Sequence, residues 1–232
     1  MTTTRPYSMT VKEAQESARI STGNSKMPGT TFAQDSFACK VGDKLAKIEG
    51  SVCKSCYARR IQKLRPSVNQ GWKANLEKAR HWLSVNPTQW VDSCVFQINR
   101  AATKSGESFH RWFDSGDLDS IEQLSAICKV AEKTPDIAHW LPTREAGTVK
   151  KYLAKGGTIP GNLVLRVSAT MIGDAPIRGH ANTSTVHVKG KPHVGHACPA
   201  PSQGNSCGSA DLGNECRACW NPSVGNVSYT KH

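Results

Sequence analysis

Three short apolar segments alternate with two amphipathic stretches in the middle of the chain, and this alternation restricts the possible folds more than any other feature. The segments 109–113, 137–141 and 162–169 have the length and composition of buried strands. Helical patterns occupy 120–133 and 145–155, between the strands. Strands that are separated by single helices are typical of parallel sheets with right-handed crossovers. The sequence therefore predicts an α/β fold, either a partial (β/α) barrel or a mostly parallel sheet.

Together with the segments on either side, this region divides the chain into three predicted parts. A tail and a helix at 10–20 occupy residues 1–29, and a long loop rich in Gly, Ser and Asn runs from 21 to 43. A cysteine-rich metal-binding module follows the α/β domain. The predicted domain is 30–190 and the module is 191–232. A basic turn or helix is predicted at 54–64, with further helices at 69–84 and from residue 87, and a further candidate strand at 184–189.

The chain has nine cysteines, and their expected redox state decides how they are interpreted. The N-terminal residues have no apolar signal region, so we expect a cytoplasmic protein whose thiols are reduced. No run reaches the roughly 18 apolar residues that cross a membrane, and we expect no membrane partner. An odd number of reduced cysteines favours metal binding over a disulfide framework.

Two of the nine cysteines have the pattern of core residues. Cys94 and Cys128 fall on apolar helix faces, where a free cysteine behaves as a small hydrophobic side chain. The other seven are candidate metal ligands and form two groups along the chain. The first group is Cys39, Cys53 and Cys56, and the second is Cys198, Cys207, Cys216 and Cys219.

The C-terminal group supplies four soft thiolates on Gly-rich loops, a donor set that suits tetrahedral zinc or an iron–sulfur cluster. We expect one closed centre here that mainly stabilises a segment without a core of its own. The first group has only three thiols. His81 or His110 would complete a zinc site, whereas without them a 4Fe–4S cluster would keep one iron open. The sequence thus predicts one or two 4Fe–4S clusters, with zinc as the alternative.

Polar residues follow three of the predicted strands and form a candidate ligand pocket. Parallel α/β sheets bind ligands at the carboxyl ends of their strands. Arg144 is the candidate clamp for a carboxylate or phosphate, since a guanidinium can pair with either in a bidentate manner. Helix capping alone would also explain some of these residues. The pocket is predicted from Ser115, Gly116, Asp117, Arg144, Arg166 and Ser168, and no catalytic residue is assigned.

A formal net charge of +12 favours an anionic partner, either nucleic acid or a charged small molecule. A zinc-stabilised nucleic-acid-binding protein is therefore the alternative to an iron–sulfur protein with a small-molecule ligand. Aromatic and basic side chains would stack on bases and neutralise phosphates in such a protein. The candidate surface residues are Trp72, Trp220, Arg59, Arg60 and Arg217.

Five separated motifs resemble the bacteriophage family known as gene product 88: GNSKMPGTTF, CKSCYA, FHRWFDSGDLDS, HWLPTRE and the tail that begins CPAPSQGNSCG. This resemblance implies a phage origin and the cytoplasm of an infected host cell. The chain is also distantly similar to radical S-adenosylmethionine proteins, which carry their cluster loop in a turn like CKSCYA. That similarity implies S-adenosylmethionine as a candidate cofactor, with Ser115, Gly116 and Asp117 near its methionyl amine, and a candidate radical enzyme.

Overall fold

The computed structural model describes residues 9–22 and 26–231. Most of the predicted tail at 1–9 therefore lies outside the described residues. The helices of the described part are α1 (Val11–Ser17), α2 (Lys40–Leu45), α3 (Tyr57–Leu64), α4 (Pro66–Val85), α5 (Pro87–Ser105), α6 (Ile121–Lys133) and α7 (Ala146–Ala154). The strands are β1 (Ile20–Ser21), β2 (Thr30–Phe32), β3 (Phe109–Arg111), β4 (Ala138–Thr143), β5 (Leu163–Ser168), β6 (Thr183–His187), β7 (His196–Ala197) and β8 (Asn226–Thr230).

All of these strands belong to one mostly parallel sheet. Its order is β1-β2-β3-β4-β5-β6-β8-β7, with β1 and β7 at the two edges. Only β1 is antiparallel, to its neighbour β2. The three strands predicted from the alternating pattern, β3, β4 and β5, are parallel neighbours, which confirms the predicted fold class.

The helices cover one face of the sheet and build the main core there. Phe32, Trp112 and Leu141 point to this face and pack with Trp90 of α5 and Leu124 of α6. The rings of Trp90 and Trp112 stack with their centroids 5.9 Å apart. This fully buried aromatic layer fixes the register of the sheet, because a shift by one residue would turn these side chains to the other face.

The opposite face of the sheet is covered by the C-terminal segment. Trp140 of β4 and Val227 of β8 pack there against Cys219 and Trp220, which lie in a short 3₁₀ turn at Ala218–Trp220. The segment at 191–232, predicted as a separate module, also adds β7 and β8 to the same sheet, and β8 lies between β6 and β7.

The region predicted as one long loop contains regular structure. It includes β2, which pairs in parallel with β3, and most of the short helix α2. The basic turn or helix predicted at 54–64 is a turn up to residue 55, followed by α3 from Tyr57. No helix in the described part of the chain is long and apolar enough to cross a membrane.

Candidate metal centres

The first group of cysteines is gathered where two short helices begin. Cys39 is the N-cap of α2 and Cys56 is the N-cap of α3, so the positive end of a helix dipole lies beside each thiol. Gly42 lets the chain close around them. A Cβ atom at Gly42 would lie 2.9 Å from Cys39 Cβ and 3.7 Å from Cys53 Sγ. Any larger side chain there would push these two cysteines apart.

Three hydrogen bonds hold this cysteine group at the carboxyl ends of the parallel strands. The Tyr57 hydroxyl donates to Asp114 O, after β3, at 2.7 Å. The backbone N–H of Val41 donates to Glu145 Oε1, after β4, at 2.7 Å. Val52 N donates to the backbone oxygen of Thr170, after β5, at 3.0 Å. The group therefore lies at the edge of the sheet where the sequence predicted a ligand pocket.

Burial and nearby charges act on these thiols in opposite directions. Burial raises the pKa of both Cys39 and Cys53, and the carboxylate of Asp117 raises both further. Arg59 opposes the increase at both thiols, and Arg144 opposes it at Cys53. Without a bound cation the thiol forms are favoured, so a metal would have to displace protons to bind here.

Asp117 links two of the strand ends. Its Oδ1 accepts hydrogen bonds from the Thr143 hydroxyl at 2.5 Å and Leu118 N at 2.8 Å, and its Oδ2 accepts from Arg144 N at 2.8 Å. Burial nevertheless raises the pKa of this carboxyl to about 6. The residue thus fastens the loop after β3 to the loop after β4, beside the cysteine group.

Two predicted pocket residues keep buried polar atoms without a hydrogen-bond partner among the described residues. These atoms are Ser115 Oγ and Arg144 Nε. Gly116 between Ser115 and Asp117 has a φ of 86°, and a Cβ there would meet Gln34 Cγ at 2.5 Å. Ser168 instead shares a 2.8 Å hydrogen bond with Ser184 on β6.

Arg166 is fully buried and its guanidinium is occupied by the C-terminal segment. Its Nε donates to Cys219 O at 3.1 Å, and its two terminal nitrogens donate to the backbone oxygens of five further residues at 2.8 to 3.4 Å. Such saturation shows a structural role, and we leave Arg166 out of the pocket. The five residues are Thr183, Ala218, Asn221, Val224 and Gly225.

The four C-terminal cysteines gather on the face of the sheet opposite to the main helices. Cys207 O accepts from Cys216 N at 2.8 Å, and Cys198 N donates to Ser228 O of β8 at 2.9 Å. The Cys219 sulfur lies 3.2 Å from the Tyr229 hydroxyl oxygen. The pKa of Cys219 is raised to about 12, mainly by burial; the thiols of Cys198 and Cys207 act in the same direction, whereas Tyr229 and Arg166 oppose the increase. The four side chains thus share one partly buried cluster.

Arg111 lies between the two cysteine groups and is not among the site residues predicted from the sequence. Its guanidinium forms an ion pair with Asp114 at 3.1 Å and lies 4.7 Å above the Trp140 ring. Burial raises the pKa of the Tyr57 and Tyr229 hydroxyls, and Arg111 opposes both increases. The signal that could have found it is the alternation in β3, which directs Arg111 to the same face as Trp140.

The remaining candidates lie away from both groups. Cys94 and Cys128 are fully buried in the main core, as predicted. His81 is an exposed residue of α4. His110 is buried beneath the helices and its Nδ1 is 2.7 Å from the Thr30 hydroxyl oxygen, so its ring is engaged on that face.

Two of the residues chosen for nucleic-acid contact are not available for it. Trp220 is buried, and its ring packs 5.2 Å from Trp140 and 5.4 Å from Phe109. Arg217 donates to the backbone oxygens of Cys207 and Cys216 and pairs with Glu215. These side chains support the C-terminal cluster instead.

No set of three or more histidine, cysteine, aspartate or glutamate side chains in residues 9–22 and 26–231 is arranged so that it could hold a metal ion. The donors fit zinc or iron in kind, since they are thiols beside cations and helix N-termini. To hold a metal, the sulfurs in either group would have to turn toward a common centre. A cleft of about 250 Å³ lies between α4 and the start of α6 and is lined by none of the predicted site residues.

The fold and the two thiol groups define a cysteine-rich α/β protein with an open, mostly parallel sheet. The chain belongs to the gene product 88 family, whose profile matches residues 10–222. No curated protein and no solved structure matches the chain. The comparisons thus bear out the resemblance to gene product 88 and give no support to the similarity with radical S-adenosylmethionine proteins.

Proposed function

We propose that this protein binds an iron–sulfur cluster through Cys39, Cys53 and Cys56 and uses it to bind a small ligand that carries a carboxylate or phosphate. The observation that carries the proposal is the convergence of three thiols at the carboxyl ends of β3, β4 and β5, the edge at which parallel sheets bind ligands. Three protein ligands would leave one iron of a 4Fe–4S cluster free to act as a Lewis acid toward the bound molecule.

The chain's own residues would bind and orient that ligand. Arg144 is close enough to Cys53 to lower its pKa and has a buried Nε without a partner in the described residues. Its guanidinium would pair with a carboxylate or phosphate. Ser115 Oγ and the free lone pair of Asp117 Oδ2 would accept hydrogen bonds from an amine. A ligand with an amine and a carboxylate, such as S-adenosylmethionine, satisfies both sets of groups.

The C-terminal cluster would hold a second, closed centre with a structural role. Its ligands would be the four C-terminal thiols, and Arg166 and Trp220 hold the backbone near them through hydrogen bonds. We propose zinc or a second 4Fe–4S cluster here, since four thiolates suit either. Its contribution would be folding energy, because a preformed site does not exist in an unfolded chain.

Anaerobic purification followed by metal analysis and a visible spectrum tests the proposal. We expect a brown protein with broad visible absorbance and about four iron atoms at the first site. The variant Cys53→Ser should lose that absorbance, whereas the matched variant Cys94→Ala, in the core, should keep it. A colourless protein with stoichiometric zinc and no iron would contradict the proposal.

Binding of S-adenosylmethionine by the reconstituted protein tests the ligand separately. We expect binding that perturbs the cluster's electron paramagnetic resonance spectrum and that weakens at least tenfold in Arg144→Gln, since one bidentate charge pair is worth about that much. A cluster whose spectrum does not respond to the ligand would leave an iron–sulfur protein with a different small-molecule partner.

A further inference from the structure

The outward face of α3 carries apolar side chains that no element of the described chain covers. Tyr57, Ile61 and Leu64 follow one another at helical spacing and are 47%, 37% and 70% exposed. Phe37, also exposed, lies on a different side of α3, where the Arg59 guanidinium and the Lys63 ammonium lie 5.1 and 5.8 Å from its ring centroid. A contiguous apolar stripe of this kind marks an interaction surface.

The segment 40–65, which contains α3, holds a large share of the protein's positive charge. Residues 40–65 contain eight Lys or Arg and two acidic residues, a net charge of 8 − 2 = +6 out of +12 for the whole chain. Both acidic residues are already neutralised within this segment. Asp43 pairs with Lys47 and Arg59, and Glu49 pairs with Lys54. Charge complementarity therefore requires a strongly anionic partner.

The inner face of α3 is fixed, so the outer face is presented as a rigid platform. Gln62 is 1% exposed and joins three neighbours. Its Oε1 accepts from the Ser36 hydroxyl at 2.7 Å, and its Nε2 donates to Asp35 at 2.7 Å and Asn69 at 3.0 Å. A preorganised surface loses little conformational entropy when a partner binds.

We propose that this face of α3 binds single-stranded nucleic acid. Arg60, Lys63 and Arg65 are exposed around the stripe, where they would contact successive phosphates. The Tyr57 ring is half-exposed although its hydroxyl is held by Asp114, so one ring face is available for a base to stack on. An exposed Tyr among cations suits unpaired bases, which a duplex would keep stacked inside. The site adjoins the proposed metal centre, since Tyr57 follows Cys56 and its hydroxyl bond helps to hold the cysteine group, but its test measures nucleic-acid binding and not the metal.

A fluorescein-labelled 15-mer of thymidine, titrated by anisotropy at 50 to 200 mM salt, tests this site. The triple variant Arg60→Glu, Lys63→Glu, Arg65→Glu should bind more than tenfold more weakly at 50 mM salt. The slope of log affinity against log salt should fall by about 2, at roughly 0.7 for each lost phosphate contact. The variants Tyr57→Leu and Tyr57→Phe separate stacking from charge, since only the first should lose affinity, by roughly tenfold.

The matched control is the triple variant Lys129→Glu, Lys150→Glu, Lys151→Glu, which makes the same charge change on exposed positions of α6 and α7. It should bind within about threefold of the wild type. Replacement of the three α3 cations by Gln provides a milder test if the Glu variant fails to fold. Equal weakening by both triple variants, no binding at 50 mM salt, or equal competition by polyglutamate would overturn the proposal, the last in favour of an acidic protein partner.

Discussion

The two cysteine groups lie on the same sheet but are supported very differently. The C-terminal group is braced by many contacts: Trp220 packs between two aromatic rings, and Arg166 binds six backbone oxygens around it. The first group rests on three hydrogen bonds at the strand ends, beside an exposed helix face. Dense support suits a centre that stabilises the fold, whereas a site lined by buried polar atoms without a partner among the described residues suits one that binds a ligand.

The largest effect on stability should come from removing a thiol of the C-terminal cluster. We expect Cys216→Ser to release one metal centre and to lower the thermal midpoint by about 10 °C, because metal binding there is coupled to folding. Calorimetry with metal analysis measures both quantities. Asp211→Ala, an exposed change in the same segment, should alter neither. An unchanged midpoint in Cys216→Ser would show that this cluster is not structural.

Arg166→Leu should have the next largest effect. The change leaves six backbone oxygens in and around the C-terminal segment without their donor, and a lost buried hydrogen-bond network of this kind costs about 3–5 kcal/mol. Urea unfolding of metal-free protein measures the loss without a contribution from metal. Arg178→Leu, an exposed site, serves as the control. A loss below about 1 kcal/mol would mean that the segment holds its position without Arg166.

Acid should destabilise the sheet that carries both cysteine groups, through two buried histidines. Burial lowers the pKa of His139 to about 3 and also lowers the pKa of His110 well below its usual value. The unfolded chain binds protons on these residues below about pH 6.5, whereas the folded chain does not. Stability should therefore decrease as the pH falls from about 6.5 toward 3, by about 1.4 kcal/mol per pH unit for each histidine.

Urea unfolding at pH 7.0, 6.0 and 5.0 measures this decrease. In His139→Gln the dependence should be flatter by about 1.4 kcal/mol per pH unit, whereas His81→Gln, at an exposed position, should follow the wild type. A slope that His139→Gln leaves unchanged would mean that other groups cause the acid sensitivity.

The sequence was sufficient where periodicity is strong. The central strands and the helices between them were predicted within a few residues, because buried faces recur at regular spacing there. In the described residues, β1, β2, β7 and β8 were missed. β1, β2 and β7 have two or three residues each, and β2 lies in a Gly- and Thr-rich stretch in which its pairing with β1 and β3 makes it a strand. β8 has five residues and lies in the segment that was predicted only as a cysteine-rich module. Such elements are defined by tertiary contacts that a local pattern does not contain.

The pocket illustrates a second limit. The rule that ligands bind at strand ends selected Asp117 and Arg144, and these two residues share a hydrogen bond. It also selected Arg166, although side chains alternate along a strand and Arg166 points to the face that the C-terminal segment covers. Which face of β5 that segment would cover cannot be deduced without knowing that β8 returns to the sheet.

The smallest effect on stability should come from Cys56→Ser, and this change tests the comparison most sharply. Cys56 is half-buried and precedes the exposed face of α3, so replacing its sulfur by oxygen should change the thermal midpoint by less than about 3 °C. The same change should abolish the visible absorbance of the first centre, since two remaining thiols cannot retain a cluster. Ser55→Ala, one residue away and exposed, should change neither property. If Cys56→Ser lowered the thermal midpoint by about 10 °C, as Cys216→Ser is expected to do, the first site would also be structural, and its open position would no longer support ligand binding.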